Sequence, residues 1–205
     1  MERLKGQSKI TYDTNILVYY CFSTKKHKIK ELTSKTHILT EYLIKNNTKI
    51  IIPKFIVDEL NKVTFSKIVS DYVSKSSEVT NLPKNPTFLF RIELKGKIMK
   101  KFNTLINKEW VLIESELPDA HLVTKIEDFF DKLDVHPQKQ HFLNLKKRDK
   151  LMPSDIDIKL IAFSKEMESI LISNDYDLTF FADELFEKNL SNRIFGLKEL
   201  DIYNN

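Results

Sequence analysis

Four short stretches of the sequence carry an apolar run up to a carboxylate or place one just beyond it: Asp13 in KITYDTNIL, Glu59 in IIIPKFIVDEL, Asp157 in SDIDIKLIAFS and Asp175 in ILISNDYDL. A lone aspartate at the end of a strand is ordinarily the N-cap of the next helix, its side-chain oxygen accepting a bond from a free helix N–H. Several carboxylates gathered in one place are a different matter, because they repel one another and raise some of their pKa values unless a cation sits among them. Hard divalent cations take oxygen ligands, and Mg²⁺ commonly uses only one or two carboxylates directly while keeping several waters. Such a cluster points to Mg²⁺ or Mn²⁺. One or two of these ions can activate a water, set it in line with a phosphodiester and stabilise the departing oxygen. The chemistry within reach of these residues is metal-assisted phosphodiester hydrolysis.

Whether the acids meet depends on the elements that carry them. KITYD reads as a short strand, and THILTEYLIKNN places Ile38, Leu39, Tyr42 and Leu43 at helical spacing. TKIIIPKF is a continuous β-branched run ended by Pro53, as in a strand buried on both faces, and FIVDELNKV opens a helix. After the Pro-rich break at LPKNP comes a long basic helix, then EWVLIES as a third strand and an amphipathic helix from Pro118. PSDIDIKLIAFSKEM starts a helix capped by Ser154 or Asp155; SILISND is a fourth strand and NRIFGLKEL a last one. This alternation predicts an α/β fold with a mostly parallel sheet flanked by helices. In such sheets the ligand site lies beyond the carboxyl ends of the strands. Asp13 and Asp175 end strands there, Glu59 sits in the helix after the second strand, and Asp157 sits at the start of the helix before the fourth.

Composition narrows the alternatives. The 205 residues are 41% hydrophobic and 30% charged, enough for one buried core and too apolar for a disordered chain. We expect one domain over residues 1–205. The three glycines, Gly6, Gly96 and Gly196, exclude a Gly-rich phosphate loop. Cys21, the one cysteine, excludes an intrachain disulfide and a four-cysteine zinc site and suits a reducing compartment, with the thiol as core filler. No stretch has the apolar length of a signal peptide or a membrane span, so a cytoplasmic protein without membrane contact is expected. A net charge of +4 and a pI near 8.9 permit a polyanionic partner without requiring one.

With the acids placed, the chain resembles the PIN-domain ribonucleases. YDTNIL, IIIPKFIVDEL, SDIDIKLIAFS and ISNDYDL look like that family's four acidic motifs, in the family's order and each at its expected strand or helix. Each block alone is weak; the four together are specific. The resemblance implies a Rossmann-like three-layer α/β/α fold and an Mg²⁺- or Mn²⁺-dependent endoribonuclease releasing a 5′-phosphate product. Carried over residue by residue, Asp13, Glu59, Asp157 and Asp175 match the metal-holding acids, and Asn15 and Ser173 the polar residues that support them. Asp155 is the alternative third acid, although an aspartate followed five residues later by alanine fits Asp157 and Ala162; Asp177 is either a fifth acid or a loop residue. Partners implied are RNA, a second copy of the chain, and a small antitoxin, as in VapC-type toxins, or an RNA-processing complex. A PIN-like RNA-binding scaffold without cleavage is the rival from another class.

The interval from Glu59 to Asp157 is longer than in compact PIN toxins, and we expect a helical elaboration over about 64–150. It carries two basic runs: Lys97, Lys100 and Lys101 with neighbouring Lys95 and Lys108, and Lys146, Lys147 and Arg148 in LKKRDK. Both are candidate RNA-binding patches whose phosphate contacts would be sequence-independent and salt-sensitive. A solvated helix face is the plainer reading of the first. The extra length and these runs lean toward RNA processing over a toxin. The five histidines lack zinc-ligand spacing. Tyr19, Tyr20 and Phe22 read as core or helix-face packing, with base stacking a lesser option, and Phe129, Phe130, Phe180 and Phe181 as core or interface residues.

Overall fold

The computed structural model describes residues 1–21, 27–62, 88–132 and 153–202, with side chains described for 1–21, 31–60, 95–132 and 153–202. Residues 64–87 and 133–150 of the expected elaboration lie outside the described residues, and so do Phe22, Lys146, Lys147 and Arg148.

Apolar β-branched runs form the sheet. β1 (Lys9–Tyr12) and β2 (Lys49–Pro53) pair in parallel with Ile10 opposite Ile50 and Thr11 opposite Ile51. β3 (Val111–Glu114) continues outward from β2, with Ile50 opposite Val111. On the other side β4 (Ile170–Ile172) pairs with β1, Tyr12 opposite Ile172, and β5 (Ile194–Phe195) pairs with β4. The five strands lie in the order β3-β2-β1-β4-β5, all parallel. The sequence predicts a mostly parallel sheet; the sheet described is wholly parallel.

Strands covered on both faces show no polar alternation. β2 is buried from Ile50 to Pro53 and β4 throughout, whereas the edge strand β3 leaves Leu112 exposed. Ile10, Ile50, Ile52 and Leu171 are fully buried, each contributing roughly 2 kcal/mol by area removed from water. Polar groups inside the sheet layer are paired: Thr11 Oγ1 lies 2.6 Å from Ser169 Oγ, and the Tyr12 hydroxyl 3.0 Å from Thr40 Oγ1.

The connections are helical: α1 (Thr14–Cys21) and α2 (His27–Lys45) between β1 and β2; α3 (Lys54–Lys62) and α4 (Phe88–Ile106) between β2 and β3; α5 (Ala120–Asp131) and α6 (Asp155–Glu166) between β3 and β4. Two short helices, α7 (Tyr176–Thr179) and α8 (Ala182–Glu187), lead to β5. α1 packs on α2, α3 and α4, and α5 packs on α6. The chain winds outward from β1 to β3, then returns across the sheet to β4. Right-handed crossovers therefore place the helices before β3 on one face and those between β3 and β4 on the other. The direction of winding reverses between β1 and β4, and open parallel sheets bind ligands in the crevice at that reversal, beyond the carboxyl ends of the strands. Among the described residues no helix is long and apolar enough to cross a membrane.

Candidate active site

Asp13 follows β1 directly at the reversal. Its N–H donates to the Ile172 carbonyl at 3.0 Å, continuing the β1–β4 pairing, and its own carbonyl accepts from Ile16 N and Leu17 N, which starts α1. The turn from strand to helix at this point aims the side chain across the end of β4. Asp13 is 5% exposed. Its Oδ1 accepts from Thr14 N at 2.5 Å, and its Oδ2 accepts from Asn15 Nδ2 at 2.5 Å and Ser173 Oγ at 2.6 Å.

β4 delivers the other side of the site. Ser173 Oγ accepts from Asp175 N at 2.9 Å, Asn174 N donates to Asn15 Oδ1 at 3.0 Å, and Asp175 Oδ1 caps α7 by accepting from Asp177 N at 3.0 Å. Asn15 and Ser173 thus touch Asp13 itself, and Asn15 Nδ2 lies 3.4 Å from Ser173 Oγ. Asp177 is buried behind Asp175 on the first turn of α7.

Glu59 reaches the site from α3. Thr14, the residue after Asp13, donates its hydroxyl to Glu59 Oε2 at 2.5 Å. Asp157 comes from α6, where it forms a capping box: Ser154 N and Oγ both donate to Asp157 Oδ2, at 2.9 and 2.7 Å, and Asp157 N donates back to Ser154 Oγ at 3.3 Å. Ser154, not Asp155, is therefore the N-cap, and Asp155 is exposed. Asp157 is in electrostatic contact with Asp175, Glu59 and Asp13.

Charge crowding shows in the proton affinities. Burial first, opposed by the Ser173 hydrogen bond and reinforced by the charges of Asp157 and Asp175, pushes the Asp13 carboxyl up from 3.8 to about 7. Asp157 is raised as well, by burial first and then, against its bonds from Ser154, by Asp175 and Glu59. The four acids thus form one electrostatic unit built on four segments. Among the described residues no three acids, histidines or cysteines stand as a ready-made metal-ligand group. The donor chemistry nonetheless suits a hard ion: the charged donors here are all carboxylate oxygens, and an ion that keeps most of its waters needs one or two of them directly.

Three participants were not legible as such: Thr14, Asn174 and Tyr19. Tyr19, which reads from sequence as packing, lies beside the site: burial first, opposed by the Asn174 side chain and reinforced by the charges of Asp13 and Asp175, pushes its phenol pKa up. Its spacing of four residues from Asn15 on α1 is the signal that could have found it, since residues four apart share a helix face. The lysines of α4 do not join the acids in the same way. Lys97, Lys100 and Lys101 are exposed, and Lys101 is felt at Cys21 and His37, beside the far end of α1, roughly 12 Å along that helix from Asp13. Phe130 and Phe181 are buried in the core as expected, with Phe129 and Phe180 packed against it.

Comparison with known proteins adds little to this geometry. No family model matches the chain, and no curated protein does. Among solved structures the chain is similar to VapBC2 from Rickettsia felis bound to a DNA fragment from its promoter, at 16% sequence identity and a TM-score of 0.42, over 92% of this chain and 98% of that one.

Proposed function

We propose that the chain is a PIN-type endoribonuclease that hydrolyses RNA phosphodiester bonds with Mg²⁺ or Mn²⁺. The observation that carries the reading is Asp13: a buried carboxylate at the strand-order reversal, held by three donors and crowded by Asp157 and Asp175, with Glu59 tied to the same turn through Thr14. An isolated structural aspartate has no need of such neighbours, and a cluster of this kind is relieved by a cation. A bound ion would supply an activated water and charge neutralisation at the phosphate.

In this reading Asp13, Asp157, Asp175 and Glu59 hold the ion directly or through its waters. Asn15 and Ser173 keep Asp13 oriented, and the charged site leaves the phosphodiester as the group to be bound. Water adds to phosphorus, the bond to the 3′ oxygen breaks with that oxygen taking a proton, and the products carry a 5′-phosphate and a 3′-hydroxyl. Exposed Lys97, Lys100 and Lys101, together with Lys146, Lys147 and Arg148, are assigned to RNA beyond the scissile bond.

The test is cleavage of total cellular RNA by the purified protein with Mn²⁺ or Mg²⁺, beside EDTA and Asp13→Asn controls, with new 5′ ends mapped. Metal-dependent ends, absent in both controls, are expected. RNA binding without metal-dependent cleavage would replace the enzyme by an RNA-binding scaffold, and full activity of Asp13→Asn would remove the site assignment.

A further inference from the structure

Single apolar side chains in solvent are ordinary, and their position decides whether they mean anything. Among the described residues Ile44, Leu112, Leu117, Phe186 and Tyr176 are the exposed large apolar or aromatic ones. Phe186 lies under the Arg193 guanidinium, 3.7 Å from the centre of its ring, and Arg193 precedes β5 at the opposite end of the sheet from the acids. Of the five, Tyr176 is the one next in sequence to a site acid: it follows Asp175, opens α7 and is 44% exposed.

Behind Tyr176 stands a row of rings. Its own ring lies 5.1 Å from that of Phe180, four residues on, and inclined to it by 31°. Phe180 meets Phe181 edge-on at 5.1 Å, and Phe181 meets Phe130 of α5 edge-on at 5.7 Å. Phe181 and Phe130 are buried, so the row runs from beside Asp175 into the core. α7 itself is fixed: Thr179 N and Oγ1 both donate to the Asp175 carbonyl at 3.1 Å, Phe180 N donates to the Tyr176 carbonyl at 3.0 Å, and Leu178 is fully buried. A flat, braced ring beside a charged site is what a nucleobase stacks on, and a ring already held in place loses little freedom when it binds.

We propose that Tyr176 is a stacking platform for a base next to the scissile phosphate, so that the substrate is single-stranded RNA. Unpaired bases can be splayed onto an aromatic ring, whereas bases in a duplex are already stacked and paired. The inference rests on the nuclease reading above, which brings the RNA backbone to Asp175, and adds the group that holds the base. Tyr176 binds substrate and holds no ion.

The test is binding to the full chain of a fluorescein-labelled RNA 12-mer containing all four bases, as a single strand and annealed to its complement, read by anisotropy with Ca²⁺ in place of Mg²⁺. Tyr176→Ala should bind the single strand about 10-fold more weakly than wild type and the duplex no differently. Tyr176→Leu, which keeps an apolar contact with Phe180 but has no flat face, should lose as much. Tyr176→Phe retains the ring and should bind as wild type, as should Phe186→Ala. Wild-type affinity in Tyr176→Ala or Tyr176→Leu, an equal loss on the duplex, or a loss as large in Tyr176→Phe overturns the inference and leaves the nuclease reading standing. Tyr176-dependent binding of the single strand without metal-dependent cleavage of total RNA keeps the platform and removes the nuclease. A wild type that binds neither form overturns the inference, and both readings if it also fails to cleave.

Discussion

A carboxylate offers about four acceptor positions, and Asp13 has three of them filled by Thr14 N, Asn15 Nδ2 and Ser173 Oγ. That leaves room for one further bond, which suits a residue that makes a single contact to an ion. The Ser173 bond is the leading influence holding the Asp13 pKa down against burial. Ser173→Ala is therefore predicted to raise it further and to move the acid limb of the cleavage pH profile to higher pH, with activity down about 10- to 100-fold. A limb that stays in place would show that Asp13 is not the group being titrated. Thr14→Val keeps the shape of the side chain and removes the Thr14 O–H that reaches Glu59 Oε2. Its predicted effect is a loss of activity of about 10-fold with stability changed by no more than about 1 kcal/mol, checked by kinetics and denaturant melts on the same preparation. Asp13 and Asp175 were legible because parallel strands carry all their carboxyl ends to one edge, so a strand-end aspartate announces its location; Glu59 and Asp157 sit on helices and were placed by the resemblance of their motifs. The threonine and asparagine contacts were not: the Asn15–Asn174 bond spans 159 positions in sequence, and no periodicity encodes it.

At the scale of elements, α6 gives Asp157 two tasks, capping the helix and standing beside Glu59 and Asp175. Substitutions separate them. Asn at 157 still accepts from Ser154 and sheds the charge, so Asp157→Asn is predicted to cut activity strongly while costing little stability. Ser154→Ala loses the cap and should cost about 1 kcal/mol, read by thermal melting. Asp155→Asn, at an exposed first-turn position, should do neither. If Asp155→Asn were the inactive variant, the third acid would have been misassigned. The elements that sequence periodicity located best were the continuous apolar strands. α2 begins at His27, not near Thr36 where its apolar spacing becomes regular, because its first turns are lysine-rich and carry a Glu31–Lys35 pair at 2.7 Å in place of a hydrophobic stripe. α7 and α8, at four and six residues, are shorter than any window in which a helical period can be recognised. Much of the predicted elaboration between Glu59 and Asp157 falls outside the described residues.

For the whole molecule, the acid cluster is a store of charge repulsion whose size depends on pH. Asp13 titrates near 3.8 when unfolded and is raised to about 7 when folded, so between those values the native chain holds a proton that the unfolded chain has released. The slope of unfolding free energy with pH follows the protons bound unfolded minus those bound folded, which is negative here. This contribution to stability is complete below pH 3.8 and is lost as pH rises toward about 7, by at most about 1.4 kcal/mol per pH unit for one proton. Asp157, also raised, adds in the same direction. His37 works oppositely: burial lowers its pKa below 6.5, so the folded chain gains stability as pH rises past it. The informative quantity is thus the difference between wild type and Asp13→Asn. In EDTA, the melting temperature of wild type relative to Asp13→Asn is predicted to fall between about pH 4 and pH 7 and then level off. Mn²⁺ competes with the same proton, so it should stabilise wild type more at about pH 7.5 than at about pH 5, and Asp13→Asn little at either. A wild-type advantage that grows with pH in EDTA would mean that Asp13 is ionised and content without a cation, and the physical ground for a metal site would be gone.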